Sequence, residues 1–300
     1  MTGYIFLMLA LIFGLIKAYC GKQTSSAAVH LYDAIVINTV RMVLCILIGV
    51  IFILFEREYS VISRSQKVFG IALLCGLGTA SFTVCWLLSV RTKAYMLVEV
   101  FVMAGSIIPL TLCAALYKEP VSITQVLAIS LLLAAVYCMC TSKTDEKVRF
   151  STKSLLVLIL CAVSSGISDF SQKLFVLECG NDNISLFNLY VYLFSAVALL
   201  LASFVIAKTK KQEHRTSRLK IVKPVLGYIS VMALCLFLNS YFKTLAAAHM
   251  DAVLLYPLNQ GCAVVLSLAM SVIVFKENPS FKAIIGIALA AAAVILLSAT

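Results

Sequence analysis

The sequence predicts an all-α integral membrane protein of ten transmembrane helices, arranged as two inverted five-helix repeats. Three observations carry this. The chain is 62% hydrophobic and only 12% charged over 300 residues, whereas soluble domains are about 45–50% apolar and about 25% charged. Its apolar residues fall into ten long segments separated by short polar loops. A turn reading Tyr117-Lys118-Glu119-Pro120 returns 158 positions later as Phe275-Lys276-Glu277-Asn278-Pro279.

The segments run over about Thr2–Tyr19, Ala34–Phe55, Val68–Ser89, Ala94–Leu116, Val121–Cys140, Ser154–Gln172, Ser185–Ala207, Ile221–Phe242, Ala252–Phe275 and Phe281–Ala299. Each approaches the roughly 20 apolar residues a helix needs to cross a bilayer. The first lacks a basic start, and Lys17 interrupts its end. It reads as a span and not as a signal peptide. The repeat splits the chain into 1–145 and 150–300. Five spans per copy is an odd number, so the second copy inserts upside down relative to the first. Glu119 and Glu277 suit the positive end of a helix dipole, and Pro120 and Pro279 suit a first helical turn. The fifth and tenth segments are rich in small residues, among them Ala128, Ala134, Ala135, Gly286, Ala290 and Ala293. Such faces let helices approach closely in lipid. They are assigned to scaffold or homodimer contacts.

Composition also excludes function classes. The +11 net charge sits in loops, where lysine and arginine set topology, so nucleic acid is not an expected partner. The side holding both termini carries six basic loop residues and the other side sixteen, seven of them between Lys208 and Lys223. The charge rule alone would place the termini outside. Most of the eleven cysteines lie within spans and there is no CxxC pair, which fits buried free thiols. With three histidines and no HExxH, no metal site, cofactor or catalytic constellation is expected, and the protein is not expected to be an enzyme. Gly76-Leu77-Gly78 reads as helix packing.

Ionisable and polar groups inside spans mark the expected site, because each is costly in lipid and usually faces a bundle interior. Glu99 stands in a run of Met96-Leu97-Val98 and Val100-Phe101-Val102-Met103. Candidate cationic partners are Lys17, Arg41 and Lys243. The stretch Tyr256-Pro257-Leu258-Asn259-Gln260-Gly261 aligns with Glu99 through the 158 offset. It predicts an interrupted helix that offers Tyr256, Asn259 and Gln260 to a cavity. Ser165, Ser168, Asp169 and Gln172 share a helical face, as do Asn239 and Lys243. Trp86, the only tryptophan, is either a cavity residue or an interfacial anchor. Lys22 and Lys173 hold similar places at the ends of the first and sixth spans and read as snorkelling side chains.

Two five-helix copies, Arg41 in the second span, the Lys-Glu turn at Glu119 and Glu277, and the Gly/Ala-rich closing helix together resemble the drug/metabolite transporter superfamily, specifically its EamA-like ten-helix carriers. The resemblance covers nearly the whole chain. It implies an α-helical carrier in a prokaryotic inner membrane. It also implies alternating access for a small organic metabolite, through a cavity built mainly from the first, third, fourth, sixth, eighth and ninth spans. Members usually keep both termini in the cytoplasm; the charge bias departs from that pattern. Proton coupling through Glu99 is a further expectation. A lipid or lipid-linked-sugar flippase subunit and a non-transporting membrane subunit are the alternatives.

Overall fold

The structure, a computed structural model, describes residues 2–28, 30–56, 66–92, 95–118, 122–140, 152–180, 183–209, 223–276 and 281–298. The glutamates and prolines of the repeated turn and most of the basic loop before Lys223 lie outside these residues. Within them the chain is helical: α1 Thr2–Ser25, α2 Leu31–Glu56, α3 Gln66–Thr92, α4 Tyr95–Ala104, α5 Ile107–Tyr117, α6 Ile123–Cys140, α7 Thr152–Cys179, α8 Ile184–Thr209, α9 Lys223–His249, α10 Ala252–Ile273 and α11 Phe281–Ser298.

Among the described residues eight stretches are long and apolar enough to cross a bilayer, with α4 and α5 together supplying one of them, Val98–Tyr117. The apolar parts of α6 and α11, Ile123–Ala135 and Ile284–Ala293, are shorter. The distribution of side chains is that of a protein solvated by lipid. Large apolar residues such as Leu47, Leu54, Leu201 and Phe204 point outward, while Asn38, Arg41, Asp169, Gln172 and Asn188 are buried. Helices suit this setting because each satisfies its own backbone.

The bundle pairs helices across the two halves: α1 packs on α9, α3 on α7, α2 on α8 and α6 on α11. Exchanging α1 with α7, α2 with α8, α3 with α9, α4–α5 with α10 and α6 with α11 maps the principal contacts onto one another. The repeated turn shares its backbone as well. Lys118 and Lys276, 158 positions apart, both sit at φ 53° in the left-handed region. The small residues of the closing helices face each other inside one chain, with Ala128, Ala135, Ala290 and Ala293 buried in a common cluster. Gly76 meets α8 at Val191 and Phe194, and Gly78 meets α7 at Ser164 and Ser168.

One expectation moves. The interrupted helix is not at Pro257, since α10 runs unbroken through it from Ala252 to Ile273. The break falls between α4 and α5, at Gly105-Ser106. Pro109 explains it. A proline lacks the N–H that would reach the carbonyl four residues back and its ring crowds that carbonyl; here that carbonyl is Gly105's. It takes Ile108 N–H at 3.1 Å instead, and Ser106 Oγ donates to Met103 O at 2.8 Å. Gly105 and Gly166 then let the break lie directly on α7, where a Cβ at either would overlap backbone. Pro257 does less because it sits near the start of α10, where few intrahelical bonds precede it.

Candidate functional site

The middle of the bundle holds a cavity of about 110 Å³. It is lined from α1, α2, α3, α4, α7, α9 and α10. A site needs roughly 10–15 Å³ on this scale to hold one water, so several waters or a small solute fit. Four of the lining side chains are ionisable: Lys17, Arg41, Glu99 and Lys243. Trp86, Asn239, Asn259 and Gln260 line it too.

Glu99 hangs from the short helix α4 just before the Gly105 break. It accepts a hydrogen bond from Trp86 Nε1 at 2.8 Å. Trp86 is buried, and its ring lies against Gly21 of α1, so it belongs to the cavity wall and not to the membrane interface. Lys17, one helix away, lies in the electrostatic field of Glu99, Asp169, Lys243 and Arg41.

The second charged centre is Asp169 of α7. Its Oδ1 takes Lys243 Nζ at 2.5 Å, and its Oδ2 takes Gln260 Nε2 at 3.3 Å. Tyr256, fully buried, donates to the Asp169 backbone oxygen at 2.6 Å. Lys243 is thus the partner of Asp169, and Glu99 has the indole. Tyr256 does not line the cavity; it fixes α10 to α7 behind it. Asn239 donates to Ala10 O at 2.6 Å, which ties α9 to α1. The other members of the α7 polar face turn to different neighbours. Ser165 lines the cavity, Ser168 meets Thr79 Oγ1 at 2.8 Å, and Gln172 donates to Ser240 Oγ at 3.2 Å.

Arg41 differs from all of these. It is 3% exposed, it lines the cavity, and its Nε and Nη2 are buried without a hydrogen-bond partner. Asn259 Oδ1 is a buried acceptor in the same condition.

Sequence reasoning misjudged Lys173. Lys173 does not snorkel. It is 5% exposed and donates to the carbonyls of Ala247 and Met250, at 3.0 and 2.7 Å, at the end of α9. Lys22, half-buried, donates to Val90 O near the end of α3 at 3.3 Å and lies 5.8 Å from the Phe275 ring centre. A cation suits the negative end of a helix. Each lysine therefore closes the third helix of its own half. Among the described residues no group of His, Cys, Asp and Glu could hold a metal ion.

Residues 152–299 match the family model of the EamA-like transporter family. That match spans the second half of the chain. EamA-like proteins are membrane transporters of small molecules, and the resemblance read from the repeated turn and the closing helix holds. No curated protein matches the chain. A solved structure described only as "Crystal structure of protein" superposes with a TM-score of 0.70 at 14% identity, covering 97% of this chain and 96% of that one. At that identity the likeness concerns the fold alone, over nearly the whole chain.

Proposed function

We propose that this chain is a secondary transporter of a small organic metabolite, working by alternating access, with Glu99 coupling solute to proton movement. The observation that carries the reading is the mid-bundle cavity, where four ionisable side chains meet inside an otherwise apolar helical body. Charged groups at that depth are expensive and mark ion or solute pathways. In the full reading α6 and α11 complete ten spans, and the halves are inverted repeats in a prokaryotic inner membrane. The exchangeable helix pairing and the shared φ of Lys118 and Lys276 support that reading. A homodimer would use the outer faces of α6 and α11, because their alanine faces are occupied by each other.

In this account the cavity opens at one end of α1 and then at the other. Lys173 seals the end where α1 begins, next to Gly3, and Lys22 the end where it finishes. Glu99 is placed to change charge between the two states, since it takes a bond from a neutral indole and lies within the field of Lys17.

Trp86 makes the test direct. It is the only tryptophan, and its N–H rests on Glu99. Its emission should therefore titrate with pH in the wild type and lose that titration in Glu99→Gln. Uptake into proteoliposomes of any solute found to quench Trp86 should run on a pH gradient in the wild type. In a folded Glu99→Gln protein that drive should vanish while binding persists. Uptake of unchanged pH dependence in Glu99→Gln would reject the coupling role.

A further inference from the structure

We infer that the occupant of the cavity is a small organic monoanion whose carboxylate is received by the guanidinium of Arg41. This rests on the transport reading above and names the substrate class of the same site.

Each other charged group around the cavity is provided for. Lys243 has Asp169 and Glu99 has Trp86. Lys17 lies within the field of both carboxylates. Arg41 is buried and faces the same space, yet two of its nitrogens lack any partner. An unpaired charge in such a place is strongly unfavourable. A lysine could escape by losing its proton; a guanidinium in a protein does not. Its charge must therefore be met by whatever fills the cavity.

Two features define what that is. With Glu99 ionised, Lys17, Arg41 and Lys243 are three cations set against the two carboxylates Glu99 and Asp169, so one positive charge is left over. One negative charge on the solute balances it. The guanidinium presents a planar fork of N–H donors, which matches a carboxylate through two parallel bonds. Across the cavity wall, the orphaned Asn259 Oδ1 asks for a donor. The favoured solute therefore also carries a hydroxyl, amide or amino N–H. The cavity size admits only a small one.

The test uses the full-length protein in detergent and follows Trp86 emission and thermal stability. The probes are acid–amide pairs, nicotinate with nicotinamide and benzoate with benzamide, together with the amine benzylamine and with chloride alone. The wild type should be half-saturated by the acids at concentrations at least about tenfold lower than by their amides. Arg41→Gln should abolish that preference while leaving the amide response in place. Arg41→Lys keeps the charge without the fork; it should bind acids about tenfold more weakly than wild type, and it serves if Arg41→Gln does not fold. Equal response to acids and amides, or preference for the amine, would overturn the monoanion and leave the transport reading standing. Displacement of the acids by chloride at equal concentration would reduce the site to one for inorganic ions and would also overturn the proposal. If no organic probe shifts either signal, the cavity does not bind small solutes and both readings fall together.

Discussion

The two ends of α1 are fastened by the same device with different firmness. Where α1 begins, Lys173 is buried and holds two carbonyls of the α9 terminus, and Phe6 stacks near Phe242 with ring centres 6.3 Å apart. Where α1 finishes, Lys22 is half-buried and makes a longer bond to Val90. There Tyr19 stacks on Phe275 at 6.2 Å, and Phe275 shares the lysine's charge. One end is closed by charge-assisted bonds in a dry setting, the other by a ring and a partly wetted ammonium. Interactions of that kind gain strength as water is excluded. The difference teaches that two lysine closures of the same kind need not be equally firm. In the proposed cycle this conformation is the one sealed more firmly at the α9 end.

Substitutions can break or sharpen that contrast. The largest effect should come from Lys173→Met, which leaves two buried carbonyls without their cation. At roughly 1.5–3 kcal/mol for a hydrogen bond to a charged group, the loss should reach about 3 kcal/mol, read as a marked fall in melting temperature in detergent. Next comes Gly21→Ala. The added methyl would lie 2.5 Å from the rigid Trp86 ring, so α1 or the indole must move. A cost of about 2 kcal/mol is expected from overpacking, together with a shift in Trp86 emission as its bond to Glu99 lengthens. Lys22→Met should cost about 1 kcal/mol or less, because a long, partly solvated contact of this sort contributes little. Gly3→Ala should fall near it, since the added methyl would lie 2.7 Å from Met250 Cγ and that side chain must shift; a small fall in melting temperature is expected. A Lys22→Met cost equal to that of Lys173→Met would erase the asymmetry.

How much of this was legible in the sequence depends on whether a signal was local. Hydropathy marks helices segment by segment, and the two copies of the Lys-Glu turn share a local backbone, since Lys118 and Lys276 adopt one conformation. The cavity residues Lys17, Arg41, Trp86, Glu99, Asn239, Lys243, Asn259 and Gln260 were all selected because polar groups in apolar text are conspicuous. Partnerships were not legible. Asp169 and Lys243 each stood out, but their pairing depends on α7 meeting α9, which no spacing encodes. The lysines at 22 and 173 were matched to each other, yet their partners are carbonyls of remote helices, and backbone leaves no mark in a sequence. The α4–α5 break did have a local signal, Pro109; the longer polar stretch around Pro257 drew the prediction away from it.

The most direct test of alternating access places one cysteine at Leu15, on the cavity wall of α1, in a cysteine-free background. An impermeant thiol reagent is then applied to right-side-out and to inverted vesicles. The account predicts faster labelling from the face on which Lys22 lies. In Lys173→Met it predicts a clear gain from the opposite face, with solute shifting the ratio between the two. Labelling confined to one face, and unmoved by Lys173→Met, Lys22→Met or solute, would contradict it.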